Sequence, residues 1–367
     1  MRFDDLRTKI FENQEAIGRG EVNFLPLESV FPKLKGYFPG FIKSDYALIS
    51  ASTSIGKSKF AYFLVKHLLN LRHKLPSLSL KIFYNSLEEP VEKFMAIFKM
   101  MYLKRKYNVH ISYYNLMGYS LNQFDPKLIP LIVEASEFCK LHVEPYLEVV
   151  SIPQTIGFYK LVRNHLAETG TFYGIDGKPI EKMGDMWITY KPHNPSHWVV
   201  AVSDHIGNYL EEPGKSKYET IGNFSAYYTR QLLGLKCGVV SIIVQQQVAA
   251  KEALEVNVKG KTLIDKMKPS LDGLAENKST QRDATVAIGL FSPFKWKDHL
   301  PNAMYNGFDL DVWKNNLRML ILLKSREAES ALDERELPVY FDGGLSEFIE
   351  LDSSDMSHNL TILNERR

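Results

Sequence analysis

The stretch Ala51-Ser-Thr-Ser-Ile-Gly56-Lys57-Ser58 decides the fold, because it matches a phosphate-binding P-loop at every fixed position except the first. The run Tyr46-Ala-Leu-Ile-Ser50 before it is short and apolar, which predicts a buried parallel strand. The residues that follow it have apolar side chains at helical spacing. A strand, a loop and a helix in this order direct backbone N–H groups and the positive helix end to one point. The sequence therefore predicts a site for a nucleoside triphosphate.

Each residue type of this loop has a predicted role. Lys57 would reach the β and γ phosphates, and the Ser58 hydroxyl would ligate Mg²⁺, so we expect ATP and Mg²⁺ as cofactors. The remaining predicted nucleotide contacts are Ser54, Ile55, Gly56 and Lys59. Ala51 stands where the pattern has glycine, and alanine adopts a positive φ less readily. Either the loop tolerates the methyl group or its backbone is slightly altered.

Composition restricts the class of protein. The chain has 367 residues, of which 45% are hydrophobic and 24% charged, and its formal net charge is +2. No apolar run approaches the ~18 residues that a membrane span requires, so we expect no membrane association. Cys139 and Cys237 lie in apolar surroundings, which favours free thiols in a reducing cytoplasm. The near-neutral charge means that any binding of nucleic acid must come from a local patch.

From residue 46 onward, strand-like and helix-like segments alternate, which is typical of a parallel sheet covered by helices. The predicted fold class is therefore α/β, with a mainly parallel twisted sheet. The predicted strands are 46–50, 81–86, 146–150, 198–204, 238–244, 284–291 and 318–324. The predicted helices are 57–70, 90–105, 126–140, 153–168 and 219–235.

Three segments lie outside this alternation. Residues 1–30 form a helix-capable lead whose apolar side chains (Leu6, Ile10 and Phe11) share one face, for docking on an adjacent subunit or on the chain's own core. Residues 170–197 are rich in Gly, Pro and aromatic residues, which predicts a hairpin insertion within a single domain over 31–350. Residues 351–367 form a polar C-terminal tail.

Two carboxylates follow predicted strands and suit the chemistry of a phosphate site. Asp204 ends the run Trp198-Val-Val-Ala-Val-Ser-Asp204, at the carboxyl edge where α/β sheets bind ligands, so we expect it to support the metal. Glu88 follows the strand over 81–86 and would polarise water if that strand lies beside the P-loop strand. The simpler alternatives are an acid that begins a loop and an acid that complements a helix dipole.

A run of glutamines, Gln245-Gln246-Gln247, follows another predicted strand. A glutamine at this edge can sense the γ phosphate by a hydrogen bond and relay its state to the next loop. The residues alone leave open which of the three glutamines does so, and the family resemblance stated next implies Gln245.

Together these residues resemble the RecA-like motor domain of DnaB-type replicative helicases, including those of phages, over roughly residues 25–350. Ser86-Leu-Glu-Glu-Pro90 is similar to the family's segment that carries the catalytic glutamate, which implies that role for Glu88. Ser270-Leu-Asp-Gly-Leu-Ala-Glu276 and Gln281-Arg-Asp-Ala-Thr-Val-Ala are similar to its DLRES and EQDAD run. Leu322-Leu-Lys324-Ser-Arg326 resembles the family's Lys-x-Arg, which implies that Arg326, with Lys324, reaches a neighbouring subunit's nucleotide.

The chain departs from the family pattern at several points. Ala275 stands in place of an arginine, and Glu-Ala-Glu-Ser follows Arg326 where the family has a Gly-rich turn. The short lead implies a motor without the family's helical N-terminal domain. A divergent phage or mobile-element helicase accommodates these departures.

The resemblance implies a hexameric ring on single-stranded DNA, with a primase or a loader as a further partner. One candidate DNA loop is 207–218, and the other is 248–268, a modestly basic loop that could equally be a solvated surface. The lysines expected to contact DNA are Lys251, Lys259, Lys261, Lys266 and Lys268.

The leading interpretation is an ATP-driven helicase. One alternative is a RecA-like ATPase in recombination, packaging or helicase loading, and another is a nucleotide-binding adaptor that does not hydrolyse ATP. Retention of Glu88, Asp204 and Arg326 together argues against the adaptor.

Overall fold

The computed structural model describes residues 3–119, 125–180, 186–248, 267–326 and 335–352, together with residues 354 and 359. Four of the five lysines expected to contact DNA, and most of the predicted C-terminal tail, lie outside these residues. Within them, no helix has the length and apolar character that a membrane crossing requires.

Strands and helices alternate along the described chain. The strands are β1 (Leu25–Pro26), β2 (Gly40–Phe41), β3 (Tyr46–Ala51), β4 (Ser79–Ser86), β5 (Leu147–Val150), β6 (Gly170–Tyr173), β7 (Thr189–Pro192), β8 (His197–Asp204), β9 (Val240–Gln246), β10 (Val286–Phe291), β11 (Met304–Tyr305), β12 (Phe308–Asp309), β13 (Leu317–Ser325), β14 (Arg335–Asp342) and β15 (Glu347–Glu350). The α-helices are α1 (Phe3–Gly18), α2 (Lys57–Lys74), α3 (Val91–Tyr107), α4 (Tyr113–Leu116), α5 (Leu128–His142), α6 (Thr155–Thr169), α7 (Lys217–Asn223), α8 (Thr280–Asp283) and α9 (Leu310–Trp313), and a π-helix covers Phe224–Lys236.

The main sheet has, among the described residues, nine strands in the order β15-β14-β13-β10-β3-β9-β8-β4-β5. The six strands from β10 to β5 are parallel. The other three, β13 to β15, are antiparallel to their neighbours. The predicted α/β class with a mainly parallel sheet is confirmed.

Helices cover both faces of the sheet because the side chains of a strand alternate between faces. In β3, Ala47 and Ile49 pack in a core with α2 and α3, whereas Tyr46 and Leu48 pack in a second core with α6 and the π-helix. The helix α2 is buried over most of its length, since β14 and β15 also cover it.

The predicted hairpin is present, because β6 and β7 pair antiparallel with Phe172 opposite Tyr190. The predicted helix over 219–235 is divided into α7, which begins with a Ser216–Glu219 capping box, and the π-helix. The strands β14 and β15 were not predicted from the sequence. They matter for function because Phe341 of β14 contacts the P-loop.

Candidate active site

The P-loop connects β3 to α2 with a backbone that only some of its residues can adopt. Ala51 extends β3 opposite Gln246, so its backbone is extended and needs no glycine. Ser54 and Gly56 have positive φ values of 64° and 112°. A Cβ atom on Gly56 would lie 3.1 Å from the ring of Phe341, so glycine is required there by both conformation and space. The loop thus tolerates alanine at its first position.

Lys57 is the cation of this loop and is buried, with 7% of its surface exposed. Its Nζ donates a hydrogen bond of 3.3 Å to the carbonyl of Ser52. Burial lowers the pKa of Lys57, whereas the charges of Glu88, Asp204 and Glu276 raise it. Three carboxylates therefore converge on the ammonium group that would hold the phosphates.

Asp204 ends β8 and is 1% exposed. The Ser58 hydroxyl donates to its Oδ1 at 3.1 Å, and the Tyr84 hydroxyl donates to its Oδ2 at 2.6 Å. Burial raises the pKa of Asp204 to about 6, although these two hydrogen bonds oppose the shift. A hydroxyl and a carboxylate in contact are oxygen donors of the kind that Mg²⁺ prefers, so these residues fit the expected metal.

Glu88 lies in the turn between β4 and α3 and is exposed. The condition set for Glu88, that β4 lies beside the P-loop strand, is not met, since β9 and β8 separate the two strands. The turn still approaches the P-loop, because the Leu87 N–H donates to the Asp204 carbonyl at 2.6 Å. The charge of Glu88 consequently raises the pKa values of Lys57, Asp204 and His205.

The adjacent acid, Glu89, is held differently. It accepts hydrogen bonds from Tyr62, at 2.8 Å, and from Lys93. The predicted nucleotide contact Lys59 lies over the Tyr62 ring, with its Nζ 5.3 Å from the ring centroid. Neither acid lies in the first turn of α3, where Glu92 lies instead, so the helix-dipole alternative for Glu88 loses its basis.

The three consecutive glutamines contact three different places. Gln245 is buried, and its amide bonds to the carbonyls of Ala275 and Asn277 and to the Thr280 hydroxyl. Gln246 donates to the P-loop Thr53 hydroxyl at 2.8 Å. Gln247 donates to Ser50 Oγ and to the Ser270 carbonyl, each at 2.9 Å. These contacts argue against Gln245 as the γ-phosphate sensor and favour Gln246.

Two charged residues near the loop were missed as individual site residues. Glu276 is half-buried beside Gly207, and its Oε2 has no hydrogen-bond partner among the described residues. Arg318 of β13 is buried and donates at 2.9 Å to the carbonyl of Ile55, behind the P-loop. A lone arginine in the apolar run of β13 was the available signal for Arg318.

The predicted pair Lys324 and Arg326 lies at the amino ends of the parallel strands, whereas the P-loop lies at their carboxyl ends. Lys324 is paired with Ala287 of β10, near the start of that strand, and β10 runs parallel to β3. Lys324 donates to the Gln281 carbonyl, and the exposed Arg326 donates to the Arg282 carbonyl at 2.6 Å. Neither residue is brought to the P-loop of its own chain.

The DNA-contact prediction is addressed only at Lys268, because the other four lysines lie outside the described residues. Lys268 forms an ion pair with Glu336 and lies over the Tyr305 ring, which argues against a role in binding DNA. In the other candidate loop, Lys215 pairs with Glu212, and Lys217 donates to the carbonyl of Gly207.

Similarity to known proteins is seen in structure and not in sequence. No protein-family model and no curated protein matches the chain. The ATPase domain of G40P is similar with a TM-score of 0.64 and 15% identity, over 96% of this chain and 99% of that one. A DnaB-like replicative helicase, solved in a study of its interactions with primase, is similar with a TM-score of 0.60 and 14% identity, over 96% of this chain and 67% of that one. The chain therefore has the RecA-like fold of the DnaB-type helicase ATPase domain.

Proposed function

We propose that this protein is an ATP-dependent DNA helicase, a ring motor that moves along single-stranded DNA and separates the duplex. The observation that carries the proposal is the convergence of Lys57, Ser58, Asp204 and Glu88 at one edge of the sheet. The fold shared with DnaB-type ATPase domains adds support. Residues 31–350 would form the motor.

The chain's own residues would divide the chemistry among them. Lys57 would bind the phosphates, and Ser58 and Asp204 would hold Mg²⁺, which neutralises phosphate charge when bound. Glu88 would orient and polarise the attacking water, since it is the exposed acid beside Lys57. Gln246, which bonds to Thr53, would report the state of the site to the loop that follows β9.

A neighbouring subunit would complete this site. Arg326 lies at the sheet edge away from its own P-loop, and an arginine supplied in trans stabilises the charge that develops on the γ phosphate. Hydrolysis would then depend on assembly of a ring, for which we propose six subunits.

The helix α1 offers a contact for that assembly. The side chains of Phe3, Leu6, Ile10, Phe11 and Ile17 are 43–91% exposed. These exposed side chains do not pack on the core of their own chain, which was the alternative expectation. We propose that α1 docks on the adjacent subunit, and that a primase or a loader contacts the assembled ring.

The proposal is tested by ATP hydrolysis with and without single-stranded DNA, in the wild type and in Glu88→Gln. We expect DNA to stimulate hydrolysis and E88Q to reduce it by about 100-fold or more, the contribution of a general base. Glu89→Gln is the matched control, because Glu89 is bonded to Tyr62 and Lys93, and we expect it to retain activity.

Other outcomes would select the alternatives. Stimulated hydrolysis without strand separation would favour a RecA-like ATPase in recombination, packaging or helicase loading. ATP binding without hydrolysis under any condition would reject the motor and favour an adaptor.

A further inference from the structure

Among the described residues, Tyr84 donates the shorter of two side-chain hydrogen bonds to the Asp204 carboxylate, at 2.6 Å to Oδ2. Both side chains are buried, with 0% and 1% of their surfaces exposed. They come from neighbouring parallel strands, β4 and β8, whose ends are paired at Ser86 and Asp204. The phenol therefore contacts this carboxylate from inside the sheet's hydrophobic core and not from the solvent.

The phenol is fixed in place by aromatic packing. The Tyr84 ring lies 4.4 Å from that of Phe94 and 5.3 Å from that of Tyr62, measured between centroids. A buried ring packed on two sides has few other rotamers, so its hydroxyl has a defined direction. An ionised carboxylate accepts hydrogen bonds and donates none, so the Tyr84 proton points at Oδ2.

The two oxygens of Asp204 have different partners. Oδ1 receives the Ser58 hydroxyl, which is the group expected to turn toward a metal. Oδ2 receives Tyr84, which belongs to neither the P-loop nor the exposed surface. Tyr84 does not belong to the P-loop, so its bond to Oδ2 would persist if Ser58 turned toward a metal and would keep the carboxylate plane oriented.

We propose that Tyr84 is a positioning residue that orients Asp204 toward Mg²⁺ and the Ser58 hydroxyl. The inference rests on the proposed function, in which Asp204 supports the metal of a bound nucleotide. Partners behind a metal-supporting group fix its orientation and raise metal affinity. Tyr84 itself touches neither metal nor nucleotide in this arrangement.

Tyr62 provides a matched control within the same aromatic cluster. Its hydroxyl donates to Glu89 at 2.8 Å and lies close to that of Tyr84. Tyr62→Phe and Tyr84→Phe each remove one hydroxyl and keep the ring, so they have a similar effect on packing. Only Tyr84→Phe removes a direct hydrogen bond to Asp204 among those described.

The test is equilibrium binding of a fluorescent ATP analogue, with a titration of Mg²⁺ and a parallel measurement in EDTA. We expect Y84F to lower the apparent affinity for Mg²⁺ in this titration by about tenfold, the lower end for the loss of such a partner. Binding of the analogue in EDTA should not change. We expect Y62F to bind like the wild type. Asp204→Asn defines complete loss of the Mg²⁺ effect, and thermal unfolding verifies that each variant is folded.

Two results would overturn the inference while leaving the proposed function intact. One is a folded Y84F with the Mg²⁺ dependence of the wild type. The other is a loss in Y62F as large as that in Y84F, because the effect would then come from the aromatic cluster and not from the bond to Asp204. A wild type that binds no nucleotide would reject the proposed function itself.

Discussion

The two edges of the main sheet, formed by the carboxyl and the amino ends of its parallel strands, are organised in opposite ways. The P-loop lies at the carboxyl ends, and Lys324 and Arg326 lie at the amino ends. At the edge that carries the P-loop, Lys57 and Asp204 are buried among partners from their own chain. At the opposite edge, Arg326 is exposed, and the charges of Arg230 and Arg326 both lower the pKa of Lys324 after burial does so. At the first edge, the charged groups beside the P-loop have partners within their own chain. The second places Arg230, Lys324 and Arg326 around Asp283, and of these Arg326 is exposed.

The strand β13 connects these two edges. Near its start, Arg318 donates to the P-loop carbonyl of Ile55, and Arg326 directly follows its end. Its nine residues span roughly 30 Å, so no side chain at one end reaches the other. This separation agrees with the proposal that the P-loop edge binds the chain's own nucleotide and that Arg326 serves the site of a neighbouring subunit.

The largest expected effect comes from Arg326→Ala. If the guanidinium serves a neighbour's site, kcat for ATP should fall about 1,000-fold, the lower end for an arginine supplied in trans. Binding of ATP should change little, because the P-loop is intact. Arg282→Ala, which removes an exposed arginine from the same edge, is the control, measured by steady-state hydrolysis and nucleotide binding. If both variants lost the same activity, the loss could not be assigned to a specific role of Arg326.

Lys57→Ala should have the next largest effect, because it removes the buried cation on which the carboxylates converge. We expect hydrolysis to fall several-hundred-fold, as for loss of a fixed electrostatic partner, and nucleotide binding to weaken as well. Lys59 was also predicted to contact the nucleotide, but its ammonium group lies over the Tyr62 ring, so Lys59→Ala should lose far less. Equal losses in the two variants would contradict the geometry of the P-loop edge.

Acidification should affect the P-loop edge through Asp204. Burial raises its pKa to about 6, so below pH 6 it is protonated, and Mg²⁺-dependent nucleotide binding should fall about tenfold per pH unit. The stability of the ligand-free protein should change in the opposite direction. Between about pH 4 and pH 6 the folded state binds this proton and the unfolded state does not, so stability rises as the pH falls.

Asp204→Asn is the comparison for both effects. This variant lacks the titrating group. The stability of the wild type minus that of D204N, measured by thermal unfolding, should therefore rise as the pH falls. The contributions of other titrating groups cancel in this difference. A wild type and D204N that respond alike to pH would assign the effects elsewhere.

The smallest expected effect distinguishes two adjacent glutamines. Gln246→Ala removes the bond to Thr53 and should reduce DNA stimulation of hydrolysis by several-fold, since one neutral hydrogen bond contributes about 1 kcal/mol. Gln245→Ala leaves the Ala275 and Asn277 carbonyls without this donor and should mainly lower thermal stability. If Q245A lost DNA stimulation and Q246A kept it, Gln245 would be the sensor, as the sequence predicted.

The sequence was sufficient for the elements whose signal is local. The apolar runs that became β3, β8 and β9 and the P-loop pattern predicted an α/β fold and placed Lys57, Ser58 and Asp204 together. The order of strands is set by crossovers, which hydrophobic periodicity does not encode. For that reason the sequence could not show that two strands separate β4 from β3, although the charge of Glu88 still acts on Lys57.

Other parts of the site depend on side-chain direction. Adjacent residues of a strand face opposite sides of the sheet, so a run of three glutamines could not reveal which one faces the P-loop. Tyr84 looked like one more aromatic residue of a buried strand, and its role follows from a single bond to Asp204. Arg318 differed from its apolar neighbours in the sequence, but its contact with Ile55 joins residues distant along the chain.

The central claim, that each site uses the P-loop of one chain and Arg326 of another, is tested most directly by mixing two inactive variants. Lys57→Ala and Arg326→Ala would be co-expressed in equal amounts, and ATP hydrolysis compared with that of each variant alone. In randomly mixed rings about one quarter of the interfaces would pair an intact P-loop with an intact arginine, so about one quarter of wild-type turnover should return. A mixture that remains as inactive as its components would contradict the shared site.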